Sequence, residues 1–159
     1  GALADTILVI GFGNPAREDD GLGPAVADLV EKAAIVNVEV DIDYQLSVEH
    51  AADVAEHSVV VFVDASVDAE LPYVFLPVAG VVTESFSSHS VTPEQVMGLT
   101  ESLFGKKPEG FILGIRGYSF EMFREALTDE ARSNMEAAAD WLIAALRNGN
   151  LVESMGERL

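Results

Sequence analysis

The stretch Ile7-Leu8-Val9-Ile10-Gly11-Phe12-Gly13-Asn14-Pro15-Ala16-Arg17-Glu18-Asp19-Asp20-Gly21-Leu22-Gly23 decides the fold. The run from Ile7 to Ile10 has no polar side, which marks a central strand buried on both faces. A loop from Gly11 to Asp20 follows. Beyond it, Leu22, Val26, Leu29, Val30 and Ala33 fall on one side of a helix.

Working outward, Val36, Val38, Val40 and Ile42 alternate with Asn37, Glu39, Asp41 and Asp43, the pattern of a strand nearer an edge with one wet face. Ser47 is expected to cap a short helix running through Glu56. Val59 to Val63 is a second buried strand, ending at Asp64. Tyr73 to Val78 reads as a short peripheral strand because prolines flank and enter it. Thr92-Pro93-Glu94-Gln95 combines a cap, a proline at the first helical position and a capping-box glutamine, with Val91 and Val96 spaced as a hydrophobic staple. Phe111 to Ile115 is a further strand. Thr128 opens a last helix with Ala131, Met135, Ala138, Leu142 and Ala145 on its inner face and Asn148-Gly149 as its stop.

Strands alternate with helices and nothing repeats. The expected architecture is one domain over residues 1–159, with its core in 5–150 and a loose tail at 151–159. It should be a three-layer α/β/α sandwich around a mostly parallel, twisted sheet. Ligands in such folds bind beyond the carboxyl ends of the strands, near the switch in strand order.

Acidic residues outnumber basic ones 27 to 9, a formal charge of −18. Such a surface repels phosphate backbones and anionic lipid and favours cations or a basic partner. No nucleic acid and no membrane are therefore expected. The absence of cysteine excludes disulfides, thiolate metal sites, iron–sulfur clusters and a cysteine nucleophile. The longest apolar stretch, Leu71 to Val82, is too short to span a bilayer and is broken by Pro72 and Pro77. No charged signal region precedes Arg17, so a cytoplasmic protein is expected.

The chemistry should lie where strands end. The first strand leads to the acidic loop with Asp19 and Asp20, and the second buried strand leads to Asp64. His89 stands just ahead of the capped helix. Two carboxylates and an imidazole suit a divalent transition metal, and equally a carboxylate site for acid–base work. Plainer roles exist for each. Asp19 or Asp20 could cap the helix that follows, Glu18 and Arg17 could be solvated, and His50 and His57 on a surface helix need no role. Gly11-x-Gly13-x-x-Ala16 superficially matches a dinucleotide fingerprint, but Glu18, Asp19 and Asp20 would stand beside the pyrophosphate. A zinc-helix motif, a nucleophile elbow and a Walker loop are all missing from the sequence.

In combination, Gly11-x-Gly13-Asn14, Asp19-Asp20-Gly21-x-Gly23, Val63-Asp64-Ala65 and His89 before a helix resemble the maturation endopeptidases of nickel–iron hydrogenases. The resemblance runs from the first strand to the last helix and implies a twisted sheet between helices. It implies a protease that removes a short C-terminal extension from the hydrogenase large-subunit precursor after nickel has been inserted, with the nickel carried by that substrate. It carries the metal-contacting and catalytic roles to Asp20, Asp64 and His89, with Asp19 the nearest rival to Asp20. The alternative is a nickel-checking or chaperone-like binder of the large subunit that does not cut. Bacterial peptidyl-tRNA hydrolases also open with Gly-x-Gly-Asn-Pro, here Gly11 to Pro15. They need a histidine shortly downstream in that loop, and none occurs here before His50; the charge also opposes a tRNA substrate.

Overall fold

The structure, a computed structural model, describes residues 5–82, 91–149 and 151. Among these residues five strands form one sheet: β1 (Ile7–Phe12), β2 (Val38–Asp43), β3 (Val59–Ser66), β4 (Tyr73–Val78) and β5 (Glu109–Arg116). Their spatial order is β2-β1-β3-β5-β4. All neighbours are parallel except β4, which runs antiparallel to β5 at one edge. Among the described residues four α-helices accompany them: α1 (Leu22–Lys32), α2 (His50–Ala55), α3 (Pro93–Phe104) and α4 (Asp129–Asn148). The expected α/β sandwich with a mostly parallel sheet is what the chain adopts.

Alternation along the strands divides the core. Ile7 and Val9, with Val59, Val61, Val63, Leu113 and Ile115, face α1 and α4. Leu8 and Ile10, with Val60 and Phe62, face α2 and α3. The central strands are thus apolar on both faces because both faces are covered. Val61 and Phe62 are fully buried, and such a side chain stabilises the fold by about 1.5–3 kcal/mol. β2 is an edge strand with partial exposure along its length, beginning at Val38 rather than Val36, which is 82% exposed. Pro77 is tolerated because β4 is the other edge and a proline lacks only the N–H that an interior strand would need.

Helix ends follow the sequence closely. The Thr92 hydroxyl accepts from the Gln95 N–H at 3.1 Å, while the Gln95 side chain accepts from the Thr92 N–H at 2.8 Å. Val91 and Val96 are both buried in the cluster beneath α3. Thr128 caps α4, and Gly149 ends it in the left-handed region, φ 70°. One expectation fails. Ser47 does not cap α2, which starts three residues later at His50 and has Glu49 at its N-cap. The Ser47 N–H instead donates to Nδ1 of His50 at 2.9 Å.

Two glycines let α1 lie against the strands. A Cβ on Gly23 would stand 2.4 Å from the carbonyl oxygen of Val63, and one on Gly11 would stand 2.5 Å from Cβ of Ala27. The start of α1 is therefore packed directly onto the carboxyl ends of β1 and β3. From β1 the chain crosses to β2 on one side, then returns through α2 to β3 on the other. This reversal between β1 and β3 is the switch point at which α/β folds open a crevice.

Candidate active site

The loop leaving β1 ends in a single 3-10 turn, Glu18–Gly21, that leads into α1. Gly13 adopts φ +141°, and a Cβ there would fall 2.0 Å from the backbone oxygen of Asp20. Only glycine lets the loop fold back this tightly. The Asp20 carboxylate accepts the Asn14 N–H at 2.7 Å, and the Asn14 side chain accepts the Ala16 N–H at 2.9 Å. Asp20 is thereby held half-buried at the end of β1.

Asp64 follows Val60 and Phe62 in the alternation of β3 and points toward the α2 and α3 face. Its carboxylate accepts the Ala65 N–H at 2.8 Å. Burial pushes the Asp64 carboxyl up to about 7 from an ordinary 3.8; the Ala65 N–H opposes the shift, and the negative charge of Asp20 adds to it. The two acids expected to act together are thus electrostatically coupled at the switch point. Asp64 also borders a cavity of about 730 Å³ whose lining includes Ser66, Val74, Leu76, Ile112 and Gly114.

Asp19, the rival to Asp20, is fully buried and fully used. Its Oδ2 accepts from the N–H groups of Tyr118 and Ser119 at 2.8 and 3.1 Å and from the Thr128 hydroxyl at 2.8 Å; its Oδ1 accepts the Thr128 N–H at 2.8 Å. Neither Asp19 nor Asp20 caps α1, whose N-cap is Gly21 with no side-chain bond. Glu18 is not solvated either. It is buried, and its Oε1 accepts from the Ser119 hydroxyl at 2.7 Å and the Glu121 N–H at 3.2 Å. Arg17 is half-buried, and its Nε is shut off from solvent without a hydrogen-bond partner. These roles depend on residues 117–128, about a hundred positions away in the chain, so nothing near Glu18 or Asp19 in the sequence announced them.

His89, the third expected site residue, lies outside the described residues. His50, given no role from the sequence, is buried, with its Nε2 3.4 Å from Asp41 and 3.6 Å from Asp43. Because Nδ1 accepts from Ser47, the proton of a neutral ring sits on Nε2, turned toward the two acids. His57 spans from the Asp53 carbonyl to the Glu39 carboxylate. Among the described residues, no group of three His, Cys, Asp or Glu side chains is arranged to hold a metal ion. Asp20 and Asp64 supply two oxygen donors, and a divalent cation between them would favour the ionised form of Asp64 that burial disfavours. The donor chemistry therefore suits such an ion. Among the described residues no helix is long and apolar enough to cross a membrane.

At the level of sequence, no family model and no curated protein matches the chain. Solved structures do match. The nickel–iron hydrogenase maturation protease HycI from Thermococcus kodakarensis superposes with a TM-score of 0.70 at 22% identity, over 91% of this chain and 94% of its own. The hydrogenase maturating endopeptidase HybD from E. coli does so with a TM-score of 0.70 at 23% identity, over 89% and 92%. A hydrogenase 2 maturation peptidase from a Thaumarchaeota archaeon follows at 0.63 and 22%, over 88% and 97%. With a coupled carboxylate pair where β1 and β3 end, this chain has the fold of the hydrogenase maturation proteases.

Proposed function

We propose that this protein is an endopeptidase that removes the C-terminal extension of a nickel–iron hydrogenase large-subunit precursor once nickel has been inserted. The observation that carries the reading is the placement of Asp20 after β1 and Asp64 near the end of the paired strand β3, at the switch point of a fold shared with solved maturation proteases. Asp20, Asp64 and His89 are assigned to contact the nickel, which arrives on the precursor as part of the substrate. His89 precedes the cap of α3, and α3 packs on the face toward which Asp64 points.

When bound, nickel supplies Lewis-acid polarisation of the scissile carbonyl. The residues of this chain do the remaining work. Burial holds the Asp64 carboxyl up, and a cation beside it would return it to the ionised form, the form that can contact the ion or take a proton from the attacking water. Asp20, fixed by the Asn14 N–H, provides the negative charge that tunes Asp64. The cavity beside Asp64 offers room for the peptide around the scissile bond, and Val74, Leu76 and Ile112 line it with apolar surface. The protein is assigned to the cytoplasm, where the precursor would be met before assembly.

The test is intact-mass measurement on the cognate precursor, with and without nickel, after incubation with this protein. Loss of a C-terminal peptide from the nickel-loaded form alone is the expected result. A stable complex without loss of mass would replace the protease with a nickel-checking binder.

A further inference from the structure

Glycines stand inside the strands at Gly11, Gly110 and Gly114, and the first two have a cause in the packing. A Cβ on Gly11 would meet Ala27 of α1, and one on Gly110 would stand 2.9 Å from Cε of Met97 in α3. Each lies under a helix that comes too close for a side chain. Gly114 does not. Its φ is not positive, and a Cβ there would find only a methyl of Val74 at 3.3 Å and Cβ of Ser66 at 3.6 Å, both within the sheet. Glycine weakens the interior of a strand, and where no packing demands it, it marks a place that another molecule approaches closely.

The position of Gly114 says what approaches. In register it stands between Asp64 on β3 and Val74 on β4, and adjacent strands lie about 4.8 Å apart. On the opposite face of the sheet, Tyr73 and Phe75 are buried against Trp141 of α4. On the face that carries Asp64, the cover thins along β4. Val78 is buried with Val96 and Met97 of α3, whereas Leu76 is 46% exposed and Val74 half-buried. Val74, Leu76 and Ile112 therefore wall the cavity of about 730 Å³ with apolar surface, and Gly114 leaves its floor bare beside Asp64.

We propose that Gly114 is the specificity-determining floor of a seat for a bulky aliphatic side chain, carried by one of the two residues that flank the scissile bond. An extended segment that presents this bond to Asp64 lays a flanking residue over the next strand, β5. With no side chain at position 114, the backbone of the segment comes close to the sheet, and its leucine, isoleucine or methionine drops between Val74, Leu76 and Ile112. Adjacency to Asp64 commits this surface to the substrate, because whatever fills the seat also lies against that carboxyl. The inference rests on the endopeptidase reading and deepens it by naming the kind of side chain that the site selects.

The experiment pairs two enzymes with two substrates: the wild-type protein and Gly114→Val, each with the nickel-loaded precursor and with a precursor whose flanking aliphatic residue is cut to alanine. Valine suits a strand, and the half-buried Val74 can turn its methyl toward the cavity, so Tm should hold; if it falls, Gly114→Ala makes the same test with a smaller step. Gly114→Val is expected to lower kcat/KM on the natural precursor by about 10–200-fold and to prefer the alanine precursor, reversing the wild-type order. An equal loss on both precursors, an unchanged order of preference, or a cleaved bond with no aliphatic residue on either side would overturn the seat while leaving the protease reading intact. Failure of the wild-type protein to shorten either precursor would overturn that reading, and the seat with it. A wild-type dimer in light scattering that Gly114→Val dissociates would assign the surface to a second copy and overturn the seat as well.

Discussion

Asp20 raises the proton affinity of Asp64 from across the switch point, adding its negative charge to the burial that already disfavours an ionised Asp64. One acid stands in the loop after β1 and the other near the end of β3, and these strands pair directly from Ile7 with Val59 to Gly11 with Val63. A site that is tuned in this way depends on the pairing of strands as much as on either residue.

Stability should reveal the tuning. Unfolded, the Asp64 carboxyl titrates near 3.8; folded, it does so at about 7. The folded state therefore binds the proton more tightly, and the associated stability is fully present below pH 3.8 and lost as pH rises through about 7. Asp64→Asn should be more stable than wild type at pH 8 by up to about 4 kcal/mol, and about equal to it at pH 4. Urea unfolding at both pH values measures this; the same gain at both would show that ionisation of Asp64 is not the cause.

Processing should fail when the assigned ligands are changed. Asp20→Asn, Asp64→Asn and His89→Ala should each slow removal of the C-terminal peptide by about a thousandfold or more, with circular dichroism unchanged. An amide oxygen at position 20 or 64 can still accept the backbone N–H that the carboxylate now accepts. Intact mass of the precursor over time is the readout, and wild-type processing by any one variant removes that residue from the site.

The neighbouring acid should behave in the opposite way. Asp19→Asn turns an amide group into a set of four donors that a carboxylate now satisfies. It should destabilise the protein by about 2–3 kcal/mol, because donors bonded to a charged acceptor lose their partner inside the fold. Asp20→Asn should cost far less. Paired denaturation curves distinguish them, and equal losses would mean that Asp19 is no anchor.

Gly23→Ala probes the contact of α1 with the strand ends. The added methyl meets the carbonyls of Val63 and Phe12 at 2.4 and 2.5 Å, and backbone cannot rotate aside as a side chain can. A loss of about 1–3 kcal/mol is expected, seen as a lower Tm. An unchanged Tm would show that the helix can lift from the sheet without cost.

Much of this architecture follows from local rules that act within one strand or helix. The apolar runs at Ile7–Ile10 and Val59–Val63 demand cover on both faces, and Thr92 with Gln95 closes a cap by itself. The positions of Asp20 and Asp64 where β1 and β3 run out were legible because each comes after a buried apolar run. Local rules failed at Ser47, where the adjacent His50 ring took the Ser47 N–H and the helix began later. They failed also at Glu18 and Asp19, because a carboxylate in a tight turn looks the same in sequence whether water or a distant loop satisfies it. Sequence by itself determined the layers, the buried strands and the pair of acids at their ends. Only tertiary structure decided that Asp19 anchors residues 117–128 while Asp20 stays available to Asp64, since that choice is made by hydrogen bonds and charges between segments brought together by folding.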